Sequence, residues 1–129
     1  PALSSIAGMV DHGKDMNILI DCMWSIMYGH RGIGLAANQV DCLDRVIVVH
    51  ADNFKQEIIN PVITRLYGGK ATSKEGCLSF PNKKTSVIRY KQIEVEGFDR
   101  DWNPIKRKLK GLASFCVQHE IDHLNGIHI

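Results

Sequence analysis

Long apolar runs are missing from this chain of 129 residues: nothing approaches the ~20 apolar positions that a bilayer-spanning helix needs. Its first residues, Pro1-Ala2-Leu3-Ser4, lack the basic, apolar and small-residue order of a secretory signal. Strong charge of either sign is absent too. Sixteen Lys and Arg against 14 Asp and Glu leave a formal charge of +2, too mild to argue for a nucleic-acid partner. The densest basic run, Lys106-Arg107-Lys108 with Lys110, has no interleaved aromatics and reads as a solvated loop or strand face. Cysteines are few, and Cys22, Cys42, Cys77 and Cys116 follow no disulfide-scaffold spacing. Each therefore reads as a packed thiol or a metal ligand in a reducing compartment. These absences predict a cytoplasmic protein with neither membrane nor nucleic acid as partner.

What is present suffices for one domain over residues 1–129, with a hydrophobic content of 44% to fill a core. Met16, Leu19, Ile20, Met23, Trp24 and Met27 recur at helical spacing, which predicts an amphipathic helix from Asp15 to about His30, with Cys22 in its core face. Residues 1–14 are weakly patterned and read as a surface segment. Val46-Ile47-Val48-Val49 is β-branched and continuous, a buried strand. Further strands are expected at 57–60, 62–66, 87–90, 93–98 and 105–109. Asn60-Pro61 reads as a turn, Tyr67-Gly68-Gly69-Lys70 as a loop and 99–104 as a hairpin connection. A last helix should run from Leu112 to about Leu124. The fold class expected is α+β: mostly antiparallel strands around a central C-terminal helix, with an N-terminal amphipathic helix beside them.

That last helix carries the chemistry. In Gln118-His119-Glu120-Ile121-Asp122-His123, the two histidines are four apart and share a helix face, so both can reach one divalent ion. Glu120 is placed to move the proton of a water on that ion, the division of labour of H-E-x-x-H hydrolases. The longer metzincin pattern fails, because the position for its third histidine is Ile129. The third ligand must lie upstream. Cys77, between small and turn-permissive neighbours in Glu75-Gly76-Cys77-Leu78-Ser79, is the best candidate. Cys116, one turn before His119, is its rival; if both bind, a closed Cys₂His₂ site with no catalytic water results. Otherwise Leu112, Phe115 and Cys116 form an apolar floor for a substrate side chain. His12, His30, His50 and His128 match no ligand spacing and read as surface or capping residues, and Cys42 as a packed thiol.

Gly32-Ile33-Gly34-Leu35-Ala36-Ala37-Asn38-Gln39, Glu75-Gly76-Cys77-Leu78-Ser79 and Gln118-His119-Glu120-Ile121-Asp122-His123-Leu124 together resemble, in order and spacing, the three signature motifs of peptide deformylases. The resemblance implies metal ligands at Cys77, His119 and His123, with Fe²⁺ the native ion and Zn²⁺ or Ni²⁺ accepted on isolation. It implies Glu120 as general base and acid, with the Gln39 amide and the Leu78 backbone N–H at the formyl oxygen. The substrates implied are N-formyl-methionyl peptides and nascent chains. Such a peptide would add as a strand along Ile33 and Gly34, its methionine side chain resting on Ile33, Leu112, Phe115 and Cys116. Asp122 is expected to pair with Arg89 or else to be a surface aspartate. Asn38 stands where many members carry proline or threonine, read as a tolerable loop change. The short C-terminus resembles a shortened, phage-encoded form at work in a bacterial cytosol or an infected host. Ribosome docking, which uses a C-terminal helix in bacterial members, is discounted for it. The competing readings are a hydrolase of another N-acyl amide and a non-catalytic, metal-stabilised peptide-binding domain.

Overall fold

The computed structural model describes residues 6–77 and 80–127, with the side chains of Cys77 and of residues 80–83 outside that description. Helix α1 spans Asn17–Gly29 and helix α2 Gly111–Leu124. Between them run β1 (Gly34–Ala36), a 3₁₀ turn (Ala37–Val40), β2 (Val46–Ala51), β3 (Phe54–Cys77), β4 (Phe80–Phe98) and β5 (Pro104–Lys110). The strands form one antiparallel sheet in the order β1-β2-β3-β4-β5.

Strand β2 explains the layering. Successive side chains leave a strand on opposite faces. Ile47, Val49 and Ala51 pack with Val117, Ile121 and Leu124 of α2, while Val46 and Val48 pack with Ile20, Met23 and Met27 of α1. A helix on each face makes a three-layer sandwich, and β2, apolar at every position but the exposed His50, suits its middle layer.

Several expectations change. Cys22 is exposed, because the buried stripe of α1 is Met16, Ile20, Met23 and Met27 and Cys22 falls on the far side. The Gly68-Gly69 loop and the Asn60-Pro61 turn are absorbed into one long ribbon of β3 and β4. Both sites are register shifts, between Ile59 and Val62 and between Tyr67 and Lys70. Left-handed φ values at Asn60 (+53°), Gly68 (+78°) and Gly69 (+80°) let the strand absorb extra residues without turning back. The N-terminal segment is pinned rather than superficial. Ala7 is buried and its N–H donates to the Leu124 carbonyl (2.8 Å); the Asn60 side chain brackets both backbone groups of Val10 (2.8 and 3.0 Å). Lys106, Arg107, Lys108 and Lys110 are solvated, as the lack of aromatics suggested.

Candidate metal centre and its cleft

Helix α2 is buried almost all round, which for a helix holding two histidines, a glutamate and a glutamine demands partners for every polar group. Gln118 finds its partners in β4. Strand β5 ends its pairing at Lys110 opposite Gln92, so the β4 edge at Tyr90 has no strand beside it. The Gln118 amide fills that place: its Nε2 donates to the Tyr90 carbonyl (2.8 Å) and its Oε1 accepts the Tyr90 N–H (3.1 Å). Ser114 Oγ donates to the same carbonyl at 3.1 Å. These contacts set the rotation of α2 and hence the direction of the next turn.

On that turn His119 and His123 are both buried, with ring planes 89° apart and Nε2 atoms 2.9 Å apart. His119 Nδ1 lies 2.7 Å from Glu75 Oε1. Burial works to raise the Glu75 pKa, but hydrogen bonds from His119, Arg89 and Ser73 outweigh it and hold the carboxyl at about 2. An ionised carboxylate only accepts, so His119 Nδ1 carries the proton and a neutral ring turns a bare Nε2 lone pair towards His123. At 2.9 Å that lone pair accepts a hydrogen bond when His123 carries its proton on Nε2, and with both Nε2 atoms bare the same pair is placed to share a cation. Nitrogens at ~2.0–2.1 Å from a tetrahedral ion lie ~3.3–3.4 Å apart, so a slight opening would fit one. Among the described residues His119, Glu120 and His123 bring ligand atoms within 4.8 Å of one another, and His123 Nδ1 is buried without a hydrogen-bond partner. The donor set fits a divalent ion.

Cys77 ends β3 with its backbone paired to Phe80, but its side chain, like all of Leu78, lies outside the described residues. Cys116 is described, and it is not a member of the cluster. Its thiol is buried and points at the Ile33 carbonyl (3.5 Å); burial, with Glu120 and Glu75 nearby, pushes its pKa well up, so it remains a neutral thiol. No closed Cys₂His₂ arrangement is present among the described residues.

Behind His119 the carboxylate is held by an ion-pair chain. Arg89, 6% exposed, gives Glu75 two Nε contacts (3.2 and 3.1 Å) and one from Nη2 (2.8 Å), and its Nη1 donates to Asp122. Burial alone would lower the Arg89 pKa; the two carboxylates raise it, and the guanidinium stays charged. Asp122 is thus a partner of Arg89. Sequence reasoning gave Glu75 no role of its own. The available signal was its spacing, since residues two apart on a strand share a face. It also passed over Asn38, which is buried and donates from the 3₁₀ turn to the His123 carbonyl.

In front of the histidines lies a cleft of about 380 Å³. Gly34 of β1 forms one wall so closely that a Cβ there would stand 2.6 Å from both Cys116 Sγ and Glu120 Oε2. Ile33 and Leu112 line the cleft and are exposed, at 42% and 44%; Phe115 is half-buried and Glu120 is buried at 4%. Gln39 lines it as well, with Oε1 accepting the Ala36 N–H at 3.0 Å, which identifies the other end of its amide as the NH₂ donor.

The family model for polypeptide deformylase matches residues 1–129. Among curated proteins, the chain is 41% identical to the peptide deformylase of Karelsulcia muelleri, over 88% of this chain and 62% of the relative. It is 42% identical to peptide deformylase 1 of Corynebacterium efficiens, over 98% of this chain and 78% of that protein. The chain thus spans about three fifths to four fifths of the length of these two relatives. Among solved structures, the PDF of the Vibrio parahaemolyticus bacteriophage VP16T, in complex with actinonin, superposes with a TM-score of 0.97. It is 50% identical and is covered over 94% of its chain, and over 100% of this one. A probable peptide deformylase from Synechococcus phage S-SSM7 gives 0.91 at 41% identity, over 98% of this chain and 89% of that one. No helix among the described residues is long and apolar enough to cross a membrane.

Proposed function

The chain belongs to the polypeptide deformylase family, and from that membership we propose that it hydrolyses the N-formyl group of formyl-methionyl peptides and nascent chains, releasing formate. The observation that carries the reading is the pair of buried histidine nitrogens converging beside Glu120 against the Gly34 wall of an open cleft. We assign His119, His123 and Cys77 to one divalent ion, with Fe²⁺ native and Zn²⁺ or Ni²⁺ as substitutes, since such a ligand set accepts all three. When bound, that ion supplies Lewis acidity and lowers the pKa of water towards ~7.

The chain's own groups do the rest. Glu120 takes a proton from the attacking water as its oxygen bonds to the formyl carbon. The Gln39 NH₂ and the Leu78 N–H donate to the formyl oxygen as it gains negative charge, each worth on the order of 2.7–4 kcal/mol of barrier. Glu120 then delivers the proton to the amine nitrogen while the carbon–nitrogen bond breaks. Backbone at Ile33 and Gly34 aligns the peptide as an added strand, and Leu112, Phe115 and Cys116 receive the methionine side chain. Glu75, held by Arg89, whose other nitrogen is engaged by Asp122, keeps His119 in the tautomer that ligates. A cytoplasmic place, in a bacterium or an infected host, is where such nascent chains are made.

Formate release from formyl-Met-Ala-Ser by the Fe²⁺- or Ni²⁺-loaded protein, kept anaerobic, tests this, with acetyl-Met-Ala-Ser beside it. Only the formyl peptide should be cleaved. Glu120→Gln should keep the ion and lose activity by ~10²–10⁴-fold. Full metal content with no formate from the parent protein would rule the reading out, and cleavage of the acetyl peptide would redirect it to a broader amidase.

A further inference from the structure

The mouth of the cleft has a chemistry of its own. Beyond Ile33 and Gln39 it is lined by His30 and Arg31, just after α1, and by Lys74 and Lys84 on the β3–β4 ribbon, all exposed. The turn bearing Arg31 is fixed to the end of α1: Arg31 N–H donates to Tyr28 O (3.0 Å) and Gly32 N–H to Met27 O (2.9 Å). On the ribbon, Gly76 pairs with Lys84 and Lys74 with Ser86, so Lys74 and Lys84 are diagonal neighbours on one face. None of Arg31, Lys74 and Lys84 meets a carboxylate in an ion pair among the described residues, whose ion pairs all lie elsewhere. The carboxylates among the described lining residues are Glu75, engaged by Arg89 and His119, and Glu120, buried beside the histidines. The rim is therefore a set of unpaired cations on both sides of a slot, where low-dielectric walls focus their field outward.

A peptide lying along β1 advances ~3.4 Å per residue, so the second and third residues after its methionine would sit ~7–10 Å beyond the methionine, at this mouth. We propose that the Arg31–Lys74–Lys84 rim is a specificity element that selects formyl peptides bearing Asp or Glu at those two positions. The proposal rests on the deformylase reading for where the peptide lies, but not for the charge of the rim.

The test compares formyl-Met-Ala-Asp-Asp, formyl-Met-Ala-Ser-Ser and formyl-Met-Ala-Lys-Lys as substrates of the metal-loaded protein at low and at physiological salt. At low salt kcat/KM should fall in that order, by about tenfold between the first two, through KM, and the spread should narrow with salt. The triple variant Arg31→Asn, Lys74→Ser, Lys84→Ser should flatten the series and leave kcat on the serine peptide unchanged; Asn tolerates the left-handed φ of +56° at position 31. Equal kcat/KM for the three peptides, or a ranking that survives in the triple variant, would overturn the proposal. Anisotropy of fluorescent Met-Ala-Asp-Asp and Met-Ala-Lys-Lys reads the rim without chemistry. Charge-ranked binding with no hydrolysis would refute the deformylase activity and uphold the rim, whereas hydrolysis with no ranking would do the reverse.

Discussion

At the scale of single residues, Gly34 and Glu75 are the positions with least freedom. Any side chain at 34 drives into Cys116 and Glu120, both buried on the packed face of α2, so one or both must shift. Gly34→Ala is expected to cost about 1–3 kcal/mol in urea unfolding and to lower activity far more than that loss implies, because Glu120 itself must move. Glu75 titrates at about 2 instead of 4.5, so the folded state favours its ionised form. Its contribution is complete above pH ~4.5, on the order of 3 kcal/mol, and is lost as pH falls towards 2. Urea unfolding of the metal-free protein should therefore show a gap between the parent and Glu75→Gln that is wide at pH 6 and narrows progressively in acid. A gap independent of pH would mean that the carboxylate is not held ionised.

At the scale of elements, α2 works as a site because β4 tells it how to rotate. The Gln118 amide stands in for a missing strand at Tyr90, matching one N–H and one C=O in the spacing a neighbouring backbone would offer. Gln118→Ala leaves the Tyr90 N–H without this partner and its carbonyl with Ser114 alone, so a loss of about 2 kcal/mol is expected by denaturant midpoint. Metal affinity, read by competition with a chromogenic chelator, should fall about tenfold as His119 and His123 lose their aim. An unchanged midpoint would show that water replaces the amide without penalty. Helix α1 was legible from its period, and β2 from an unbroken apolar run that meant burial on both faces. The β3–β4 ribbon was not. Its glycines and Asn60-Pro61 carry the same local signal whether the chain turns back or merely takes up an extra residue, and only the pairing partner distinguishes the two. Cys22 misled for a similar reason: a helix face is assigned by its neighbours' burial, not by one residue's usual preference.

At the scale of the whole molecule, the chain places α1 and α2 on opposite faces of one sheet and sets the cleft between β1, α2 and the β3–β4 ribbon. The α+β class, with antiparallel strands and a central C-terminal helix, matches what the patterning implied. An ion at the histidine pair would tie α2 to the ribbon and act on global stability. Chelation of the loaded protein is expected to lower its melting temperature by on the order of 10 °C, the equivalent of about 2.7 kcal/mol at a hundredfold excess over Kd. A melting curve indifferent to chelator would indicate that the ion binds the unfolded chain as well.

Residue order by itself determined the chemistry available: an i, i+4 histidine pair with a glutamate between, a cysteine upstream, and three motifs in register, all local patterns that survive translation into any frame. The tertiary structure decided what those groups face. That Glu75 fixes the His119 tautomer, that Arg89 spans Glu75 and Asp122, that Asn38 grips the His123 carbonyl and that three lysine and arginine side chains border one slot are long-range pairings. They arise from strand register and helix rotation, quantities that depend on the packing of every layer at once and leave no periodic trace in the chain.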